Sequence, residues 1–391
     1  MTVPSQQLRD AVRRLHGYLL DNHWNGRAIV GPDSGVRVEF RIGRFVKSYL
    51  DFLAWPDRYA FMQAQGYWIL GNWLMADLLG DERCRDLALN CSDFVIAAQR
   101  SEGYWEYPPV PSRKGKIATV EGHFAALGLL ESYRRMAQEP FLTCARKWHR
   151  FLLEDIGFQE RDGVLAVNYW ANASAGMVPN NTTLTLRTLA QFADVTNDDH
   201  YLAPCEAMVA FLRSVQLASG ELPYMADTAT AAGRSHFLCF QYNAFEFLDL
   251  ADYYLITADE AIHPVLERLA LFLSHGIAGS GAARHDCRRA RPEVPYYTAA
   301  MAAALNQAAA LGLGDFRPLA DRAYRWVLAQ QRTDGGMAFF SRGNYGLLTD
   351  RRSYPRNLAM ILYHLLLALW SRADPARNNL AGLASAHKAS P

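Results

Sequence analysis

The stretch Gly103-Tyr104-Trp105-Glu106-Tyr107-Pro108-Pro109 sets aromatic faces beside a carboxylate and a phenol, with Glu121 and His123 following. Tyr and Trp make flat walls for sugar rings, whereas Glu and Tyr can move protons. Glu106 and Tyr107 are the candidate bases, with Trp105, Glu121 and His123 as substrate contacts; the competing reading packs Trp105 and Tyr107 under a turn and makes Glu121 a helix-start carboxylate. A second stretch offers Asn168, Tyr169 and Trp170, then Asn180 and Asn181. Asn amides hold carboxylates or sugar hydroxyls, and also serve as ordinary helix caps. A third carries Glu221, Tyr224, Asp227, Arg234 and His236 before the polar run Gln241-Tyr242-Asn243. Tyr169 or His236 is the candidate acid opposite the base. The last two stretches are basic: Arg284, His285, Arg288, Arg289 and Arg291 before Tyr296 and Tyr297, then Arg342, Asn344, Tyr345, Arg351, Arg352, Tyr354 and Arg356. An arginine rim reads carboxylate, sulfate or phosphate. Arg291 and Arg356 are the best placed to do so, with Asn180, Asn181, Tyr224, Tyr242, Asn243 and Tyr297 completing the expected binding set. The residues call for no metal and no cofactor.

These stretches alternate with a repeat that must position them. Cys84, Leu87, Ala88, Cys91, Phe94, Val95 and Ala98 fall at helical spacing. Phe141 to Leu152 and Ile262 to Leu273 repeat it, and Leu8 to Leu19, Leu202 to Val215 and Leu319 to Val327 are looser copies. Such spacing gives a helix with one apolar stripe. Between them lie Phe61–Leu79, Phe124–Met136, Thr182–Phe192, Gln241–Ile256, Thr298–Leu311 and Asn357–Trp370, apolar or small almost all round, as in a helix buried on every side. Short acidic turns lead from each buried helix to the next amphipathic one. Asp81, Glu139, Asp198, Asp259 and Asp315 recur there at intervals of 56–61 residues, each expected to cap the helix that follows.

A second periodicity follows the amphipathic helices. Gln99-x3-Gly103-x3-Tyr107, Gln216-x3-Gly220-x3-Tyr224 and Gln331-x3-Gly335-x3-Phe339 share one pattern, with Gln159-x3-Gly163 a partial copy. Six helical hairpins with a buried inner ring and an amphipathic outer ring define an all-α (α/α)6 toroid rather than an open solenoid, which would need polar capping repeats. One domain over 1–373 and a disordered tail over 374–391 are expected. Long connections gather at one end: Trp24–Ala60, Arg100–His123, Gly157–Asn181, Leu217–Cys239, Ile277–Tyr297 and Arg332–Arg356. Long loops in a compact fold build sites. These meet the N-terminal ends of the inner helices, whose dipoles favour an anion.

Composition narrows the class. The 391 residues carry 40 Lys and Arg against 39 Asp and Glu, which excludes a domain-wide basic field for nucleic acid. Half of the chain is apolar, yet no apolar run reaches the roughly 20 residues of a membrane span. Six scattered cysteines without a Cys-x2-Cys pair read as reduced thiols, neither a disulfide frame nor a zinc site, and the opening residues lack a signal-peptide core. A cytoplasmic protein is expected, and the near-zero net charge is expected to divide into acidic caps at the short-turn end and arginines at the long-loop end.

The Gln-x3-Gly-x3-aromatic repeat resembles the motifs of squalene-type terpene cyclases and prenyltransferase-like toroids. The Asp-x-Asp-Asp acid of such cyclases and the zinc ligands of protein prenyltransferases have no counterpart here. A more local resemblance, over about 80 residues, is to glucuronyl C5-epimerases: Gln65-Gly66, then Glu106-Tyr107-Pro108, then Gly128-Leu129-Leu130-Glu131 occur in that family's order. Where that family has a Tyr-His pair, Pro179-Asn180-Asn181 stands instead. The resemblance implies removal of the proton alpha to a uronate carboxylate, with one base and one acid on opposite ring faces and Asn181, Arg291 and Arg356 neutralising the carboxylate. An acidic glycan, or another anionic small molecule, is the expected partner, and a C5-epimerase or lyase the expected activity. An isoprenoid-acting toroid, a glycoside hydrolase using two carboxylates and a non-catalytic glycan-binding protein remain the alternatives.

Overall fold

A computed structural model describes residues 3–33, 58–108, 115–171, 176–228, 232–340 and 351–373. The described residues contain twelve α-helices in alternating roles. The inner set is α2 (Met62–Leu79), α4 (Thr119–Met136), α6 (Pro179–Thr196), α8 (Cys239–Thr257), α10 (Pro295–Ala310) and α12 (Pro355–Ala373). The outer set is α1 (Ser5–His23), α3 (Arg83–Ala98), α5 (Glu139–Phe151), α7 (Cys205–Val215), α9 (His263–Ser274) and α11 (Arg317–Ala329). Each inner helix packs on the next, and α12 returns to α2, so the inner ring closes. Closure pairs the last inner helix with the first outer one: α12 lies on α1, and Arg372 bonds both the Val3 carbonyl and Asp321, the latter at 2.7 Å. This is the (α/α)6 toroid that the repeat requires.

The burial pattern follows from composition. On α5 the residues Phe141, Cys144, Ala145, Trp148 and Phe151 are buried along one stripe, whereas α10 buries eleven of its residues around most of its circumference. Inner helices α2, α4, α6 and α8 stop at a left-handed residue (Gly80, Ala137, Asn197, Ala258) whose N–H returns to the carbonyl four residues earlier, reversing the chain at once. The acidic turns cap only in part. Asp81 accepts from the Arg83 amide, whereas Asp198 and Asp259 cap short 3-10 turns ahead of α7 and α9, and Glu139 is itself the first residue of α5. The short-turn end is also not purely acidic, because Arg134 and Arg135 bridge Glu131, Asp194 and Asp77 there.

The Gln-x3-Gly repeat proves to be a clamp. Gln99 Nε2 bonds the carbonyls of Gly103 and Cys144, Gln216 those of Gly220 and Val265, and Gln331 those of Gly335 and Ala11, at 2.9–3.1 Å. Each glutamine thereby ties the end of one outer helix to the next around the ring. The glycines have φ of 91–108° and sit where a Cβ would meet a carbonyl of that neighbouring helix at 2.3–2.5 Å. Gln159-x3-Gly163 is no such clamp. It belongs to a hairpin of β1 (Phe158–Arg161) and β2 (Val164–Val167), turned by Asp162-Gly163, both left-handed.

Five of the six inner helices begin earlier than their apolar cores, all but α2. Pro179, Pro295 and Pro355 take the first helical position, where a missing N–H costs nothing. Glu121, Asn180, Asn181, Tyr296, Tyr297 and Arg356 thus lie in first turns of inner helices and His123 just beyond one, fixed by the ring rather than carried on loops. No described helix is long and apolar enough to cross a membrane. The tail expected over 374–391 and the candidates Arg342, Asn344 and Tyr345 lie outside the described residues.

Candidate functional site

At the long-loop face the ring mouth is built on Arg356, in the first turn of α12. Its Nε and Nη2 donate to Asp33 at 2.6 and 2.8 Å, and Nη1 donates to Gln63 Oε1 at 3.1 Å. The guanidinium also covers the Phe61 ring at 4.7 Å. Tyr107, Glu121 and Tyr296 lie within its electrostatic reach. Glu121, in the first turn of α4, is buried and accepts the Gln63 amide at 3.0 Å, so it serves the N-terminus of the neighbouring α2. Burial, only partly countered by Arg356 and by the backbone amides of Gln63 and Met62, pushes its pKa from 4.5 up to about 7.

Phenols line the rest of the mouth. Tyr107 packs edge-on against Phe61 at 5.4 Å and Trp170 at 6.0 Å, with Tyr169 against Trp170 at 4.9 Å. Tyr169 is placed by stitching: its carbonyl accepts the Thr119 amide, the Asn168 carbonyl accepts the Thr119 hydroxyl, and the Ala171 amide bonds Ile117. Tyr242, at the start of α8, meets Tyr224 edge-on at 5.1 Å, while Tyr296 meets Tyr297 at 4.5 Å. Burial pushes Tyr242 well above the ordinary phenol range, and the neighbouring Tyr224, Tyr169 and Tyr296 add to it. Burial does the same to Tyr296, with Tyr297 contributing. Three connections, carrying Tyr107, Tyr169 and Tyr224, and four inner helices thus deliver Glu121, Arg356 and a wall of tyrosines to one place.

Below the mouth the axis is filled by Tyr67, Phe124, Leu127, Leu184, Met360 and Tyr363. Beneath these, Arg187 pairs with Asp249 at 3.2 Å and Asp252 at 2.8 Å and bonds the Tyr363 hydroxyl. To one side, a cleft of about 560 Å³ opens between the β-hairpin and the 217–235 connection, lined by Arg161, Met177, Met225, Asp227 and Arg234. Arg234 joins it to the mouth by lying over Phe237 at 3.5 Å and Tyr224 at 5.6 Å.

The remaining sequence candidates lie elsewhere. Glu106 is exposed and pairs with Arg100 at 2.9 Å. Trp105 is buried against Trp148 and donates to the Val95 carbonyl. His123 is buried between Trp148 and the Thr185 hydroxyl, and burial holds its pKa down to about 3. Asn181 is buried, its Oδ1 without a partner among the described residues, and Asn180 is half-buried one residue before it. Asn243 brackets the Leu222 backbone with both amide atoms, and Arg291 is exposed. His236 pairs with buried Glu221 at 2.7 Å, away from the Arg356 corner. Gln65 holds the Ile29 backbone and Gly66 admits the α4 backbone, since a Cβ there would meet the Phe124 carbonyl at 2.3 Å, so both serve helix packing. Asp33, Gln63 and Tyr296 were not in the expected binding set. Asp33 stands in a long connection where no periodicity marks it, whereas the adjacent tyrosines Tyr296-Tyr297 opening an apolar helix were a usable signal.

No family model matches the chain, and no curated protein matches it in sequence. Solved structures match it in shape. A cellobiose 2-epimerase from Bacillus thermoamylovorans superposes with TM-score 0.71 at 12% identity, over 93% of this chain and 99% of that one. A polysaccharide lyase gives 0.67 at 11% identity, over 94% and 98%. A possible member of the GH105 family from Klebsiella pneumoniae gives 0.67 at 14% identity, over 95% and 94%. At these identities the likeness carries the toroidal fold.

Proposed function

We propose that this chain is a carbohydrate-active enzyme for an acidic glycan that abstracts the proton alpha to a uronate carboxylate, as a C5-epimerase or a lyase. The observation that supports it is the convergence of Tyr107, Tyr169 and Tyr242 with Arg356 and a carboxyl that titrates near neutrality. In this reading Tyr107 is the base on one face of the sugar ring and Tyr169 the acid on the other. Removing the C5 proton puts charge on the substrate carboxylate. Arg356, with donors beyond those held by Asp33 and Gln63, stabilises that enolate-like charge as it develops. Tyrosine faces seat the sugar rings, and the cleft beside Arg234 receives neighbouring residues of the polymer. The epimerase and the lyase among the toroid neighbours lend support, since each by its name acts on a carbohydrate.

The test is incubation with uronate polysaccharides in heavy water followed by NMR. Deuterium at C5 marks an epimerase and a 4,5-unsaturated terminus a lyase. Neither signal with any uronate polymer overturns the proposal. The apolar floor of Tyr67, Phe124, Leu127 and Met360 favours one second reading, an isoprenoid-acting toroid. Turnover of an isoprenoid diphosphate without exchange into uronates would establish it.

A further inference from the structure

Two cysteines that sequence spacing keeps 48 residues apart meet at the rim. Cys239 Sγ, at the first residue of α8, lies 2.8 Å from Cys287 Sγ in the connection before α10. Glu221 Oε2 is 3.8 Å from Cys287 Sγ and 2.7 Å from His236 Nδ1. One donor atom from each of Glu221, His236 and Cys287 lies within 4.8 Å of the others. We propose that Cys239, Cys287, His236 and Glu221 bind one divalent zinc-class ion, pinning the 217–239 connection to the 277–294 connection at the edge of the mouth. Nothing in this inference depends on the uronate reading.

The donor set is what such an ion takes: two thiolates, one imidazole and one carboxylate suit a borderline-soft, tetrahedral metal. The surroundings are arranged toward it. The Cys287 amide donates to Cys239 Sγ at 3.1 Å, the kind of bond that stabilises a thiolate. Asp286 folds the backbone about Cys287 by accepting the Arg288 and Arg289 amides at 2.9 and 2.8 Å. Glu221 is fully buried, accepts the His236 amide at 2.7 Å and faces the His236 ring and the Cys287 thiol. A carboxylate so enclosed calls for a cation. His236 and Leu238 are both left-handed, at φ 59° and 46°, so two non-glycine residues accept an unfavourable backbone where the imidazole is set against Glu221. Binding requires a modest opening: sulfurs each about 2.3 Å from a tetrahedral zinc stand roughly 3.8 Å apart, against 2.8 Å here. Four protein donors close the coordination sphere, which marks a structural rather than a water-activating ion.

The experiment titrates Co2+ into the full chain, reduced and stripped of metal. The expected result is one equivalent bound, with thiolate-to-cobalt absorption in the near ultraviolet and tetrahedral bands in the visible, all displaced by Zn2+. Cys287→Ser should abolish the near-ultraviolet band or halve it, and His236→Ala should weaken binding at least tenfold. Cys84→Ser, remote from the rim, should leave the titration unchanged, and a far-ultraviolet spectrum checks that each variant is folded. Zn2+ should also raise the Tm of the parent chain and not that of Cys287→Ser. Absence of thiolate-to-cobalt absorption from a chain with all its thiols free overturns the proposal. So does a peptide map of the chain as isolated that finds Cys239 and Cys287 joined as a disulfide.

Discussion

Arg356 and Asp33, 323 residues apart, meet in a two-bonded fork at 2.6 and 2.8 Å on the mouth of the ring. Asp33 is almost wholly buried there and Arg356 mostly so. Removing one partner takes from the other the counter-charge it meets in this fork, which for a buried pair costs on the order of 3–5 kcal/mol. Arg356→Met should therefore lower the urea midpoint sharply. Arg356→Met combined with Asp33→Leu should recover much of that loss, because both charges of the fork are then gone. Activity on the proposed uronate substrate should stay lost in both. If the double variant is as unstable as the single one, the fork is not what the Asp33 carboxylate needs.

Glu121 links pH to stability in a definite direction. Its pKa rises from 4.5 to about 7 on folding, so its contribution is fully present below about pH 4.5 and is lost as pH rises through 7. The displacement corresponds to roughly 3 kcal/mol. Glu121→Gln, which can still accept the Gln63 amide, should match the parent near pH 4.5 and exceed it at pH 8 by about that amount. Asp249, also raised to about 7 by burial, titrates in the same window in both proteins and cancels in the comparison. Urea unfolding at a series of pH values gives the answer, and parallel curves for the two proteins would refute it.

The ring was legible because burial writes itself into composition: α10 is nearly all alanine and apolar residues, whereas α5 alternates its apolar stripe with Arg146, Lys147 and Arg150. Helix starts were less legible, since Glu121 or Asn181 in a first turn resembles a loop residue until the preceding chain is placed. At the site the limit was orientation. Trp105, Glu106 and Tyr107 follow one another outside any helix or strand, with the outer two buried and the middle one exposed, and only the fold decides that the middle one faces solvent. Contacts between units left a trace only where they recur, as in the Gln-x3-Gly clamps. Cys239 and Cys287 come from successive hairpins, so their spacing obeys the length of a repeat and not the short loops of familiar metal motifs.

The clamps make a contrast within one residue type. Gly220→Ala would place a methyl 2.3 Å from the Arg268 carbonyl at a φ of 91°, adding steric displacement to backbone strain. A loss on the order of 4 kcal/mol is expected. Gly163→Ala at φ 78° meets nothing within 4 Å and should cost only the strain, about 1 kcal/mol. Equal losses measured by chemical denaturation would show that conformation alone, and not the approach of adjacent outer helices, selects glycine in the repeat.

Tyr107 and Glu106 separate the proposed chemistry from its nearest rival one residue away. Glu106 points to solvent and pairs with Arg100, both about half exposed, an arrangement that contributes at most about 1 kcal/mol to stability. Tyr107 is buried at the mouth beside Phe61 and Trp170 and within reach of the Arg356 charge. If the phenol takes the C5 proton, Tyr107→Phe removes the base while leaving the ring that fills the aromatic pocket. Loss of general base catalysis is worth about 100- to 10,000-fold in rate, so kcat for deuterium incorporation should fall in that range with KM little changed. Glu106→Gln should stay within about twofold of the parent in both, since a rim carboxylate of this kind contributes little. The reverse ranking would move the base to the outer face of the loop and would require the 104–108 segment to turn over when substrate binds.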